Sequence, residues 1–139
     1  MNTLNKLLDR SGPGLDLLAR LLLALIFIGA GWSKIGGYES TQGYMQAMGV
    51  PGALLPLVIV AELGGGLALL IGLLTRVAGL GLAVFSIVSS AIFHADFSNP
   101  VEQIMFMKNL AIAGGLLLIV AHGPGRLSLD ARDRKSTRL

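Results

Sequence analysis

The chain has 139 residues, of which 53% are hydrophobic and 14% charged, and its mean hydropathy is +0.72. A soluble domain of this size covers its surface with roughly a quarter charged residues, so water is excluded as the solvent for most of this chain and the bilayer takes its place. The net charge of +3 comes from basic residues gathered at the chain ends and in one short turn, with no aromatic-basic patch of the kind a nucleic-acid groove needs. The absence of cysteine excludes disulfides, thiolate metal sites and dithiol chemistry within the chain.

A spanning helix needs about 20 mostly apolar residues, and four stretches qualify. The first covers about 15–35 and is closed by Gly36-Gly37. Lys6 and Arg10 precede it, but no small-x-small cleavage site follows, so it reads as a retained span and not as a signal peptide. Between Tyr38 and Gly49, the residues Tyr38, Tyr44, Met45 and Met48 stand among polar ones and suit a short amphipathic helix at the outer interface. The second span covers about 53–74, opened by Pro51-Gly52, with Pro56 in its first turn where proline is tolerated. The third covers about 76–94 and the fourth about 104–122, which stops at Gly123-Pro124-Gly125. The tail 123–139 is polar and basic and is expected to fray at its end. The fold class is therefore an all-α membrane protein, a single four-helix transmembrane domain over 1–139.

Lys and Arg in short loops set orientation. Lys6, Arg10, Arg76, Arg126, Arg132, Arg134, Lys135 and Arg138 fall on one side, while Lys34, Lys108, Glu39, Asp96 and Glu102 fall on the other. Both termini are expected in the cytoplasm of a bacterial-type cell, with the longer loops outside.

The 3.6-residue period places certain residues on common faces. Arg20, Ala24, Phe27, Gly31 and Lys34 share one stripe, and Gly79, Ala83, Ser86, Ser90 and His94 share another. Span four offers Lys108, Ala111, Gly115 and His122, and span two Gly64, Ala68 and Gly72 with Glu62 beside them. Small residues at four-residue spacing allow close helix approach in lipid, so these faces are expected to meet inside the bundle, with Leu-rich faces toward lipid.

Ionisable groups at membrane depth are costly and face a bundle interior or polar cavity. At about 1.5 Å per residue, Glu62 lies about 12 Å from the outer end of its span and Lys108 about 6 Å from that of its own. Lys34 and His94 sit near outer ends, and Asn109 follows Lys108. A carboxylate at such depth needs a cationic partner or a proton, so Glu62 is expected to pair with Lys108, Lys34 or His94. Lys34, Glu62, His94, Lys108 and Asn109 are the candidate binding residues: together they would line a pocket opening outward for a quinone headgroup, a small anion or a relayed proton. The alternative is a buried ion pair that only fixes helix register. Arg20, four residues after Asp16, is expected to anchor its span by extending toward the cytoplasmic surface. His122 and Arg76 read as interfacial anchors. No residue is singled out as catalytic, no nucleophile or phosphate-loop motif occurs, and no metal is expected, because His94 and His122 belong to opposite ends.

An ordered set of short segments resembles the DoxX family of small bacterial membrane proteins. It comprises Arg20 with Gly31-Trp32-Ser33-Lys34, Met48-Gly49-Val50-Pro51, Glu62-Leu63-Gly64-Gly65-Gly66 and Gly72-Leu73-Leu74-Thr75-Arg76. Phe93-His94, Phe106-Met107-Lys108-Asn109-Leu110-Ala111 and Gly125-Arg126-Leu127-Ser128-Leu129-Asp130 complete it. The resemblance implies a four-helix inner-membrane protein. The family name derives from a subunit of an archaeal thiosulfate:quinone oxidoreductase, and some relatives associate with oxidative-stress complexes. It thus implies a membrane subunit of a quinone- or sulfur-linked redox system. Quinone would be the ligand, and an oxidoreductase partner would carry the electrons, since this chain has no metal or flavin site of its own. The competing reading is a small transport or scaffold protein without redox role, transport by so thin a bundle requiring a homo-oligomer.

Overall fold

The computed structural model describes residues 2–136, whose elements follow in chain order as α1 (Thr3–Gly36), α2 (Tyr38–Ala47), a single 3-10 turn (Gly52–Leu54), α3 (Leu55–Ile71), α4 (Thr75–Phe93), α5 (Pro100–His122) and α6 (Leu129–Ser136). Among the described residues there is no strand, and four helices are long and apolar enough to cross a membrane. Only 17% to 28% of each span's apolar window is buried within the chain, so most of the apolar surface points outward, an arrangement that lipid stabilises and water does not.

Helix ends follow local chemistry. The Asn2 side chain accepts from Leu4 N–H at the start of α1. This helix starts well before the expected span; its 34 residues rise about 51 Å, beyond the roughly 30 Å hydrocarbon layer. The excess is the polar stretch that carries Lys6, Asp9 and Arg10. Helix α2 forms where an amphipathic helix was expected: Met45 is buried, and the Tyr44 ring stacks on Phe93 at 5.4 Å. The contact lays α2 across the end of α4. Asn99 caps α5 by accepting from Val101 N–H, with Pro100 as its first residue, so α5 begins four residues before the expected span. The tail folds back as α6; the fraying expected at its extreme end lies outside the described residues.

Helix α1 packs mainly on α3 and α4 on α5, while α3 against α4 joins the two pairs. The core is Ala24, Phe27, Leu69, Leu82, Ala83, Ala113, Leu116 and Ile119. The stripes expected for α1 and α4 are inside: Arg20, Ala24, Phe27 and Gly31 are buried, as are Gly79, Ala83, Ser86 and Ser90. Two stripes are corrected in part, since Gly72 is buried and Ala68 and Gly115 half-buried as expected. Gly64 faces outward into open space, and close approach occurs at Gly65 and Gly66, whose added Cβ atoms would stand 2.9 Å from Leu82 and 2.8 Å from Ile28. Burial of Glu62, Gly66 and Leu69 sets the rotation of α3, so the charged group and not the run of small residues decides its face. On α5 the buried residues are Ala113, Leu116 and Ile119, whereas Lys108, Ala111 and His122 are exposed. This helix is apolar on every side below its first turns, and small size alone picks the wrong face.

Gly66→Ala is therefore expected to destabilise the bundle by about 1–3 kcal/mol through overpacking against Ile28 and the Ala24 carbonyl. Gly64→Ala meets nothing and is expected to be neutral or stabilising by up to about 1 kcal/mol from helix propensity. Thermal unfolding of the two variants in one detergent separates them.

Candidate functional site

Of the five candidate residues, the fold unites two. Lys34 Nζ lies 2.7 Å from Glu62 Oε1, and the Glu62 side chain is only 3% exposed. Glu62 is ten residues into the segment that begins at Gly52, about 15 Å along the axis and thus near the middle of the span. Lys34 is two residues from the end of α1, yet it reaches Glu62 because helical side chains run back toward the N-terminus, here into the bundle. Close contact of Gly31 with Leu63 brings the two helices together one turn away. Apart from Lys34, Glu62 Oε1 has no partner among the described residues. Ser90, on the inward face of α4, also keeps a buried hydroxyl without a hydrogen bond.

The other three candidates lie apart from this pair. His94 Nδ1 is 2.7 Å from Glu102 Oε2, an ion pair when the ring is protonated. It closes the α4–α5 loop, and Glu102 suits the first turn of α5 electrostatically. Lys108 is exposed on α5 and has no ion pair or hydrogen bond among the described residues; Asn109 is half-buried. The earlier start of α5 puts Lys108 about 12 Å along its helix, deeper than the 6 Å expected.

A second polar cluster occupies the opposite end of the bundle. Arg20 is 1% exposed and does not extend to a surface. It donates to the carbonyls of Leu69 at 2.9 Å, Leu70 at 3.5 Å and Leu127, tying α1 to the end of α3 and to the tail. Asp130 completes the cluster, its carboxylate accepting from Leu74 N–H at 2.8 Å, Thr75 N–H at 2.9 Å and the Thr75 hydroxyl at 2.7 Å. Asp130 thus caps α4 from 55 residues away, and its own N–H donates to Gly72 at 2.9 Å. Leu74 has a left-handed backbone, φ 47°, which costs a non-glycine residue about 1–2 kcal/mol; the captured N–H groups hold it there.

Burial pushes the Asp130 carboxyl up, but the Thr75 and Leu74 hydrogen bonds and the Arg134 charge outweigh it, so its pKa lies below the ordinary 3.8. A depressed folded value means stability that is complete above pH 3.8 and is lost as pH falls through the folded pKa. The stability gap between wild type and Asp130→Asn is accordingly expected to be constant near neutrality and to close in acid below 3.8, as read from unfolding temperatures across a pH series.

The DoxX family profile matches residues 15–95. The chain is 54% identical over 114 residues to "Inner membrane protein YqjF" of Escherichia coli (strain K12), covering 82% of this chain and 88% of that protein. It is 34% identical to "Inner membrane protein YphA" of the same organism, over 95% of this chain and all of that one. Identity to "Putative oxidoreductase CatD" of Bacillus subtilis (strain 168) is 32%, over 82% and 83% of the two chains. No solved structure matches. Four apolar spans and relatives named for the inner membrane make this a multi-pass inner-membrane protein, and the chain belongs to the DoxX family.

Proposed function

We propose that this protein is the membrane subunit of a redox system, and that a quinone or small sulfur compound is received at the Lys34–Glu62 pair in the half of the bundle away from the termini. The observation that carries this reading is a charged pair held at mid-span, Lys34 Nζ 2.7 Å from a Glu62 side chain that is only 3% exposed. Intramembrane ionisable pairs mark ligand and proton paths. A quinone carbonyl that accepts electrons also takes up protons; Lys34 can donate a hydrogen bond to such an oxygen and Glu62 can exchange a proton with it. A partner oxidoreductase supplies the electrons. The name of the Bacillus subtilis relative, "Putative oxidoreductase CatD", supports the redox assignment. His94 and Lys108 join the site only if the loop that His94 and Glu102 close is rearranged by ligand.

A scaffold role rests on a different observation. Lys108 is exposed on a spanning helix, where contact with lipid is costly, and a partner helix or second copy would cover it. In that reading the Lys34–Glu62 pair only fixes the register of α1 on α3.

Mass spectrometry of small molecules that co-purify in mild detergent separates the two. Stoichiometric quinone in wild type and depletion in Glu62→Gln support the redox subunit; its absence, or equal content in both, supports the scaffold. We also propose that both termini are cytoplasmic, from the basic residues at that end. Because the native chain has no cysteine, Ser98→Cys is expected to react with an impermeant maleimide added outside spheroplasts and Asn5→Cys to be protected, the reverse pattern overturning the orientation.

A further inference from the structure

At the end that carries both termini, the first half of α1, the start of α4, the loop after α5 and α6 line an open cavity of about 790 Å³, within the size range of small-molecule sites. Its wall holds four arginines, Arg10, Arg76, Arg126 and Arg134, against two aspartates, Asp9 and Asp16. Four positive charges less two negative leave the lining net positive. Arg10, Arg76 and Arg126 form no ion pair among the described residues, although both aspartates share the cavity. Orientation in the membrane requires only that such cations lie on one side; it does not require that they converge.

The backbone of the Gly123-Pro124-Gly125 loop shapes one side of the cavity, beside Arg76 and Asp16. Gly123 and Gly125 have φ of +84° and +82°, values that side-chain-bearing residues rarely adopt. A Cβ on Gly123 would stand 3.1 Å from Arg76 Nη2, and one on Gly125 2.8 Å from Asp16 Cβ. The loop is therefore pressed against two walls of the cavity, and only glycine permits it. Arg76 is the second residue of α4 and His122 the last of α5, which places the cavity where these spans leave the hydrocarbon, at headgroup depth.

We propose that this cavity binds a phosphate-bearing anion, with the phosphodiester headgroup of an anionic phospholipid as the source available at that depth. Guanidinium groups match phosphate oxygens in pairs, and basic clefts between spans select anionic headgroups. Asp9 and Asp16 restrict the site to a single phosphate, since a polyphosphate would meet their charge. The site is separate from the Lys34–Glu62 pair and does not depend on its function.

The test is native mass spectrometry of the full chain in neutral detergent, with dioleoylphosphatidylglycerol, dioleoylphosphatidylcholine and inorganic phosphate as probes. Phosphatidylglycerol adducts are expected to outlast phosphatidylcholine adducts. Arg76→Gln and Arg126→Gln are each expected to lower phosphatidylglycerol retention about fivefold. Arg132→Gln, outside the cavity lining, changes nothing. Asp9→Asn is expected to raise retention, a gain that misfolding cannot mimic. Equal retention of both lipids, with saturable protection by inorganic phosphate that Arg76→Gln abolishes, supports the same site with a soluble phosphate ester as its source. No lipid preference together with no phosphate effect, or an Arg132→Gln loss as large as that of Arg76→Gln, overturns it.

Discussion

Lys34→Met alone is expected to destabilise the bundle by about 3 kcal/mol, because it leaves a carboxylate buried at mid-span without its counter-charge. The double variant Lys34→Met with Glu62→Leu is expected to unfold within about 1 kcal/mol of wild type, since replacing a whole buried pair by apolar groups is often neutral. The asymmetry is the signature of a buried ion pair, in which each charge is tolerated only through the other. Thermal unfolding of both single variants and the double, in one detergent, gives the coupling directly.

The second large effect lies at the opposite end. A Cβ on Gly72 would overlap Ser128 and stand 2.5 Å from Arg20 Nη1, at a backbone φ of +72°. Gly72→Ala is therefore expected to cost about 3 kcal/mol, combining overpacking with left-handed strain. Arg20→Met is expected to cost a similar amount, about 3 kcal/mol, by leaving the carbonyls of Leu69 and Leu127 without their donor. Arg20→Lys recovers little of this, since one ammonium cannot replace a planar fork that reaches carbonyls on two elements. Both losses are read as lowered unfolding temperature, and loss of tail protection in hydrogen exchange locates them at this end.

How much of this was legible depended on whether polarity or size marked a face. In α1 and α4, Arg20, Ser86 and Ser90 combine with small residues, and the buried stripe follows from the period alone. In α5 no buried polar group labels the inner face, and Lys108 suggested the wrong one. The need of Glu62 for a cation was readable from its depth, but the choice of Lys34 among three candidates required knowing that α3 lies on α1. His94 was drawn into the site because Glu102, its actual partner, looked like one more loop charge. The role of Asp130 left no periodic trace, since it caps a helix that starts 55 residues earlier. A signal was present nonetheless: Gly72–Arg76 and Gly125–Asp130 both carried the family resemblance and lay at the same end.

We propose that the Lys34–Glu62 pair serves a ligand and not only the fold. The most direct test is the quinone content of the double variant Lys34→Met with Glu62→Leu, purified beside wild type in the same mild detergent and checked for an unchanged unfolding temperature. A folded chain that has lost its quinone is expected. Quinone retained at the wild-type level in that folded variant would contradict it and leave the pair a structural element.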